Sequence, residues 1–129
     1  MDSNQRQIRI LSVEDDSIIG EMLVIMLKDM GYDAITAENG NEGLELYDEA
    51  LRSDHPFDII ISDFSMEGIN GITLAKKIRE ITPGIPIILL TSFGTLVKQS
   101  DFEFIDCLLR KPLVIDELKD AIIKLVGSP

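Results

Sequence analysis

Basic residues, cysteine and long apolar runs are all scarce in this sequence. Lys and Arg number 12 against 23 Asp and Glu, which gives a formal net charge of −11. Surfaces that bind nucleic acid or anionic membranes need clustered Lys and Arg, so direct binding to either is not expected. The single cysteine, Cys107, excludes an internal disulfide framework and is typical of a reducing compartment.

Segments that would direct the chain to or across a membrane are also lacking. The amino terminus is polar and has no apolar core behind a basic segment, so it does not resemble a signal peptide. No apolar run approaches the roughly 20 residues that span a bilayer. We therefore expect a cytoplasmic protein. A length of 129 residues and a hydrophobic content of 45% indicate one folded domain over residues 1–129.

Five short apolar segments are typical of strands, most of them buried on both faces of a parallel sheet. They are Ile8–Val13, Asp33–Ala37, Ile59–Ile61, Ile85–Leu90 and Cys107–Leu109. Segments with helical apolar spacing alternate with these strands. The alternation predicts an α/β fold, with a parallel sheet, right-handed crossovers and about five helices on both faces.

The helical segments carry more specific predictions. The apolar residues between Ile18 and Met30 are expected to be core, with Ser17 as the cap of their helix, and Asn41 is expected to cap the next helix. The basic residues of the third helix, Arg79 among them, are expected to face solvent. A short helix is predicted around Thr95–Ser100.

Polar residues follow four of the predicted strands. They are Glu14, Asp15, Asp63, Thr91 and Lys111. The carboxyl ends of parallel strands share one edge of the sheet, where open α/β sheets bind ligands. Capping or turn formation explains one such acid, but three carboxylates meeting there would repel by roughly 4 kcal/mol per pair at about 4 Å. A divalent cation would relieve this repulsion, and an oxygen-only site suits Mg²⁺.

The same edge carries groups suited to phosphoryl transfer. Lys111 is a flexible point charge that can reach a carboxylate or a phosphate oxygen. Thr91 adds a hydroxyl, and the Asp63 carboxylate can form an aspartyl phosphate. These groups predict that Asp63 accepts a phosphoryl group.

The ordered set of motifs resembles the receiver domain of response regulators in two-component signalling, over nearly the whole chain. The motifs are Val13-Glu14-Asp15, Asp63-x-x-Met66 with Gly71, Leu90-Thr91-Ser92 and Lys111-Pro112. The resemblance implies a flavodoxin-like, doubly wound fold with strand order 2-1-3-4-5. It also implies that Asp63 is the phosphoacceptor and that Thr91 and Lys111 contact the phosphoryl oxygens.

The resemblance further implies a ligand set and partners. Asp15 and Asp63 would bind Mg²⁺ directly, together with the main-chain carbonyl of Ser65, and Glu14 would reach the ion through a water molecule. A histidine kinase or a histidine phosphotransfer protein would donate the phosphoryl group, and a downstream protein or effector domain would respond. Such a domain is not an enzyme beyond slow autodephosphorylation, and it is a monomer or a weak phosphorylation-dependent dimer. No DNA-binding or catalytic effector is expected within these residues.

The sequence departs from the family pattern in four places. Glu67 replaces a proline, Leu108 an aromatic residue and Leu113 a phenylalanine, and the segment between Thr91 and Lys111 is short and contains Gly94. No proposed catalytic residue is lost. Because no aromatic ring is available at Leu108, we expect the switch to repack residues 93–106, around Leu96, Phe102, Phe104 and Leu108.

Three alternatives remain at this stage. A phosphohydrolase with an aspartate nucleophile would need a second Asp at the position of Ser65. A flavin-binding protein shares the topology, but Glu14, Asp15 and Asp16 would repel its phosphate. A docking module of the same fold would never take phosphate, although its usual signature, loss of a site residue, is not seen here.

Overall fold

The computed structural model describes residues 7–92 and 97–129 of the chain. Its five strands form one sheet in the order β2-β1-β3-β4-β5, and every neighbouring pair is parallel. The strands are β1 (Arg9–Val13), β2 (Asp33–Ala37), β3 (Ile59–Asp63), β4 (Ile87–Thr91) and β5 (Cys107–Arg110). This topology confirms the predicted fold class and strand order.

Four α-helices and one 3-10 helix accompany the strands in the described part of the chain, and the last α-helix follows β5. They are α1 (Ser17–Asp29), α2 (Gly40–Arg52), α3 (Gly71–Ile81), the 3-10 helix Gln99–Phe104 and α4 (Ile115–Val126). The core forms two apolar layers: α2 and α3 cover one face of the sheet, and α1 and α4 the other. Strands β3 and β4 are buried at every position, which explains the apolar runs Ile59–Ile61 and Ile87–Leu90 with which they begin. Within residues 7–92 and 97–129, no helix has the length and apolarity needed to span a bilayer.

Two helices begin at caps that differ from the predicted ones. Asp16, not Ser17, caps α1 and accepts hydrogen bonds from the main-chain N–H groups of Ile18 and Ile19 at 3.0 and 3.2 Å. Asn39, not Asn41, caps α2. Both caps have extended backbones and short oxygen-bearing side chains, so they satisfy N–H groups that the first helical turn leaves unpaired.

The prediction that the apolar stripe of α1 is core was largely wrong. Only Gly20, Leu23 and Leu27 of this helix are buried. Five large apolar side chains are between 37% and 69% exposed, and we call them the α1 apolar face: Ile18, Ile19, Met22, Ile25 and Met26. The helix packs on the sheet along one narrow stripe, and its remaining apolar side faces solvent.

The connection between β4 and β5 contains a 3-10 helix and no α-helix where the structure describes it. Residues 93–96, which include part of the helix predicted at Thr95–Ser100, lie outside the described residues. Val97 and Lys98 are not helical, and the 3-10 helix that follows has no buried residue. The predicted short helix is therefore wrong at Val97 and Lys98, whereas Gln99 and Ser100 are helical as the first residues of the 3-10 helix.

Arg79 joins this connection to the rest of the fold and is not simply solvated as predicted. Its guanidinium donates hydrogen bonds to the main-chain oxygens of Ile85 and Glu103 and to Asp106 Oδ2, the last at 2.6 Å. The same Asp106 oxygen accepts the main-chain N–H of Ile87 at 2.8 Å. The long, forked side chain reaches from the last turn of α3 to acceptors that sequence spacing alone does not bring together.

Candidate functional site

The pairing of β1 with β3 brings two acidic residues side by side. Val13 pairs with Ser62 in the parallel register, so Glu14 and Asp63 are the next residues on neighbouring strands. Both side chains are buried, at 4% and 3% exposure. Burial of two adjacent carboxylates is unfavourable without a counter-charge, which makes this the polar feature that most needs an explanation.

The pairing of β4 with its neighbours completes the same edge of the sheet. The main-chain N–H of Phe64 donates to Leu90 O at 2.8 Å, and that of Lys111 donates to Thr91 O at 2.7 Å. Thr91 is 6% exposed at the end of β4. The predicted residues at the ends of β1, β3, β4 and β5 are thus brought together.

Three carboxylates converge at this edge. Glu14, Asp15 and Asp63 each offer an oxygen atom, and these oxygens lie within 4.8 Å of one another. Glu14 and Asp63 are buried, whereas Asp15 is exposed. The cluster therefore has a buried floor and a solvent-facing side.

Lys111 supplies the positive charge next to this cluster. Its Nζ lies 2.8 Å from Asp63 Oδ1 and 3.1 Å from Glu14 Oε1. The contact with Asp63 is an ion pair, and the buried Oδ1 has no further hydrogen-bond partner among the described residues. The other Glu14 oxygen, Oε2, accepts the main-chain N–H of Asp16 at 3.1 Å.

The electrostatics of the cluster single out Asp63. Burial raises its pKa to about 7, the neighbouring Glu14 adds to the rise, and Lys111 opposes it. Burial alone would raise the pKa of Glu14, but bonds from Asp63, the Asp16 N–H and Lys111 outweigh it and lower that pKa. Burial would also lower the pKa of Lys111, but its bonds to Asp63 and Glu14 raise it. Glu14 and Lys111 therefore form the charged pair of the cluster. Ionisation of Asp63 is energetically unfavourable in the metal-free chain.

The backbone after Asp63 requires a glycine at position 71. A Cβ on Gly71 would lie 2.3 Å from Asp63 O and 2.6 Å from Leu89 Cδ1. The Gly71 N–H instead donates to Phe64 O at 2.8 Å, which closes the loop between β3 and α3. Ser65 lies in this loop and is exposed. Its predicted contact with a metal ion through the main-chain carbonyl stays a prediction.

An apolar cavity beside the site was not predicted. It has a volume of about 260 Å³ and lies between the α1 apolar face and the loop after β5, with Pro112 and Leu113 as its other wall. Glu14 and Lys111 also line it, so the cavity adjoins the charged cluster. The signal in the sequence was the number of apolar residues in α1, which exceeds what a single stripe facing the sheet can bury. His55, by contrast, is exposed and precedes β3, at the opposite edge of the sheet, as expected of a solvated histidine.

Known proteins identify the family to which this arrangement belongs. The family model of the response regulator receiver domain matches residues 10–123. The chain belongs to this family. The receiver is 34% identical to the transcriptional regulatory protein GlrR of Escherichia coli over 119 residues, which are 88% of this chain and 25% of GlrR. It therefore spans about a quarter of the length of this curated relative.

Solved structures agree with the assignment to the receiver family. A receiver domain protein from Clostridium thermocellum has a TM-score of 0.84 at 30% identity, covering 92% of this chain and 94% of that protein. The response regulator TrrA from Thermotoga maritima, solved in complex with Mg²⁺-BeF, has a TM-score of 0.80 at 34% identity, covering 93% of this receiver and 100% of TrrA. TrrA has also been solved in complex with the histidine kinase ThkA. The chain is thus a receiver domain of the two-component type, as the motifs predicted.

Proposed function

We propose that this receiver takes a phosphoryl group from a phosphohistidine onto Asp63 in a Mg²⁺-dependent reaction. The observation that carries the proposal is the convergence of Glu14, Asp15 and Asp63 within 4.8 Å, with Lys111 Nζ 2.8 Å from Asp63 Oδ1. A histidine kinase or a histidine phosphotransfer protein is the proposed donor. The complex of the related TrrA with a histidine kinase supports this choice.

The residues of the cluster fit a Mg²⁺ ion. All three side chains offer carboxylate oxygens, which are the ligands that hard divalent cations prefer. The buried Asp63 Oδ1 has the Lys111 ammonium as its ion-pair partner and no further hydrogen-bond partner among the described residues, so it retains capacity to bind a cation. Asp15, Asp63 and the Ser65 main-chain carbonyl would hold the ion directly, and Glu14 would do so through a water molecule. When bound, the ion neutralises the carboxylates and the charge of the incoming phosphoryl group.

The proposed transfer needs no other nucleophile. A carboxylate oxygen of Asp63 attacks the phosphorus, the P–N bond to the donor imidazole breaks, and the departing ring nitrogen takes up a proton from water. The product is an acyl phosphate, which adds about −1.5 to −2 charges and three acceptor oxygens to Asp63. Lys111 offers its ammonium group to these oxygens, and Thr91 offers its hydroxyl.

The donor would approach over α1. The α1 apolar face is exposed beside the cavity that Glu14 and Lys111 line, so an apolar surface continues up to the charged cluster. Exposed apolar patches with polar rims are typical of protein interfaces. We propose that an apolar surface of the donor covers this face while its phosphohistidine reaches Asp63.

The receiver would act in the cytoplasm, as a monomer or a weak phosphorylation-dependent dimer, without direct contact to nucleic acid or membrane. Its phosphorylated form would bind a downstream protein or an effector domain, and it would not turn over substrate as an enzyme does. The related transcriptional regulators, of which it spans about a quarter, support an output of this kind.

Incubation with a small phosphodonor and Mg²⁺ tests the chemistry. We expect one phosphoryl group per chain, stable in acid and labile in alkali, with no labelling of Asp63→Ala. Asp54→Asn, which changes an exposed aspartate before β3, is the matched control and should label normally. Full labelling of Asp63→Ala would contradict the assignment of the acceptor. A chain that never labels would support the docking module, and continuous phosphate release at enzymatic rates would support the phosphohydrolase.

A further inference from the structure

We propose that Gly40, the first residue of α2, positions the loop between β3 and α3 through its contact with Ile69. The loop carries Ser65, whose main-chain carbonyl is a proposed ligand of Mg²⁺. Gly40 would thus act as a positioning residue for the metal site without touching the ion. The inference rests on the proposed function, because it assigns Gly40 a role in shaping the Mg²⁺ site that is proposed at Asp63.

The contact between Gly40 and Ile69 leaves no room for a side chain at position 40. A Cβ on Gly40 would lie 2.3 Å from Ile69 Cγ1, 2.8 Å from Ile69 Cδ1 and 3.4 Å from Ile69 O. Gly40 is buried, and Ile69 packs against the core layer that includes α2 and α3. Ile69 therefore occupies the space that a side chain at Gly40 would take, a close approach that only glycine permits.

Both ends of the loop are fixed by other contacts. At its start, the Phe64 N–H donates to Leu90 O, and at its end the Gly71 N–H donates to Phe64 O. Asn70 caps α3 by accepting the Thr73 N–H at 2.9 Å. The contact of Ile69 with α2 holds the loop from the side, next to the turn at Gly68.

The amino terminus of α2 is held by two side-chain hydrogen bonds. Asn39 Oδ1 accepts the Glu42 N–H at 2.8 Å, and Glu42 Oε1 accepts the N–H of Glu38, the residue before the cap, at 2.6 Å. Ile69 is β-branched, so its Cγ1 atom cannot swing away without a change of rotamer or backbone. A methyl group at position 40 would therefore displace the loop sooner than the helix.

The test is a calorimetric titration with Mg²⁺ alone, on the unphosphorylated chain. We expect Gly40→Ala to weaken binding by roughly 10-fold or more, the scale of losing an outer partner at a metal site. Gly84→Ala is the matched control, because a Cβ there would meet nothing within 4 Å, and its affinity should equal that of the unsubstituted chain. Circular dichroism and urea unfolding should show Gly40→Ala folded, since alanine favours a helix more than glycine does.

The double variant separates positioning from a general effect on the fold. Ile69→Ala removes the atoms that clash, so Gly40→Ala/Ile69→Ala should bind Mg²⁺ like Ile69→Ala alone. Unaltered affinity in Gly40→Ala, or losses that simply add in the double variant, would overturn the inference. If Gly40→Ala fails to fold, Ile69→Ala alone must still lower the affinity, and an unchanged value overturns it. Failure of the unsubstituted chain to bind Mg²⁺ would instead overturn the proposed function together with this inference.

Discussion

Lys111 reaches Asp63 across the carboxyl ends of three strands, with its Nζ 2.8 Å from Asp63 Oδ1 and 3.1 Å from Glu14 Oε1. Among the described residues, this ammonium group is therefore the counter-charge that contacts both buried carboxyl groups in the metal-free chain. An ion pair of this kind is weak evidence for net stability, but removal of one partner leaves a buried charge uncompensated.

Replacement of Lys111 should separate metal binding from the response to phosphate. Lys111→Ala leaves all proposed Mg²⁺ ligands in place, so its Mg²⁺ affinity should be nearly unchanged, while the phosphorylated state is less well stabilised. The metal-free variant should be less stable to urea, and saturating Mg²⁺ should recover much of the loss. Lys119→Ala, on the exposed side of α4, is the control. A response to phosphorylation equal to that of the unsubstituted chain would contradict the contact with phosphate.

The buried Asp63 carboxyl should make the stability of the metal-free chain depend on pH. Its folded pKa of about 7 lies above the ordinary value of 3.8, so between these values the folded chain binds more protons than the unfolded chain. The stability that the protonated Asp63 carboxyl contributes to the folded chain is fully present below about pH 4 and is lost as the pH rises through about 7. Each pH unit between the two pKa values lowers the free energy of unfolding by about 1.4 kcal/mol at most.

Urea unfolding of the unsubstituted chain and Asp63→Asn with a chelator checks this pH dependence. The variant should gain stability relative to the unsubstituted chain between about pH 4.5 and about pH 7.5, because the amide does not ionise. Saturating Mg²⁺ should abolish the difference in slope, since it favours the ionised carboxylate. Parallel pH profiles without metal would show that burial of Asp63 does not govern stability.

Adjacent acids Asp15 and Asp16 should differ in their effect on Mg²⁺ binding. Asp15 belongs to the carboxylate cluster, whereas the Asp16 side chain caps α1. Asp15→Asn should lower Mg²⁺ affinity by at least the roughly 10- to 100-fold that loss of an outer-shell partner costs at metal sites. Asp16→Asn should retain affinity and stability, because Asn caps helices as well as Asp does. Equal losses in a calorimetric titration would refute the distinction.

Polar substitutions on the α1 apolar face should slow transfer from a protein donor but not from a small one. Met22→Gln/Ile25→Gln changes two exposed side chains, so stability should hardly change. Transfer from a phosphorylated histidine kinase that labels the unsubstituted chain should fall by roughly tenfold or more, as expected for loss of two interface anchors. Ile81→Gln, on the exposed part of α3, is the control. Equal slowing with a small phosphodonor would place the effect at the site and not at the interface.

The Arg79–Asp106 pair should limit how far the connection between β4 and β5 can rearrange. Because the guanidinium also holds Glu103 O and Ile85 O, we expect Arg79→Met to increase amide exchange in the described residues 97–106. Phosphorylation should alter exchange in this region too, as expected from the sequence. Arg52→Met, which breaks an exposed pair with Asp48, is the control. Altered exchange around Leu108 with residues 97–106 unaffected would contradict the predicted switch.

The sheet and its polar edge were predictable because their signals are local. A strand buried on both faces is mostly apolar, so β3 and β4 appear in the sequence as short apolar runs that end in polar residues. A polar residue that ends such a run lies at the carboxyl edge of the sheet, whatever the strand order. Asp63 and Thr91 were located in this way, and the order itself came from the resemblance.

Features that depend on tertiary neighbours were not predictable to the same degree. Helical spacing shows which residues of α1 share a side, but it does not show whether another element covers that side, so Ile18 and Ile25 were misassigned to the core. Asp16 and Ser17 are both competent caps, and only the entry of the backbone into α1 decides between them. The groups that accept hydrogen bonds from Arg79 lie outside α3, so the position of Arg79 within that helix could not predict them.

Exposure of five apolar side chains on α1 also bears on the colloidal behaviour of this chain. Each copy carries a formal net charge of −11, so two copies repel before their apolar faces can meet. The repulsion acts over about 8 Å at an ionic strength of 0.15 M and over about 3 Å at 1 M. Concentrated sulfate therefore removes the barrier while it strengthens apolar attraction, and solutions of this protein should scatter more light as sulfate is added.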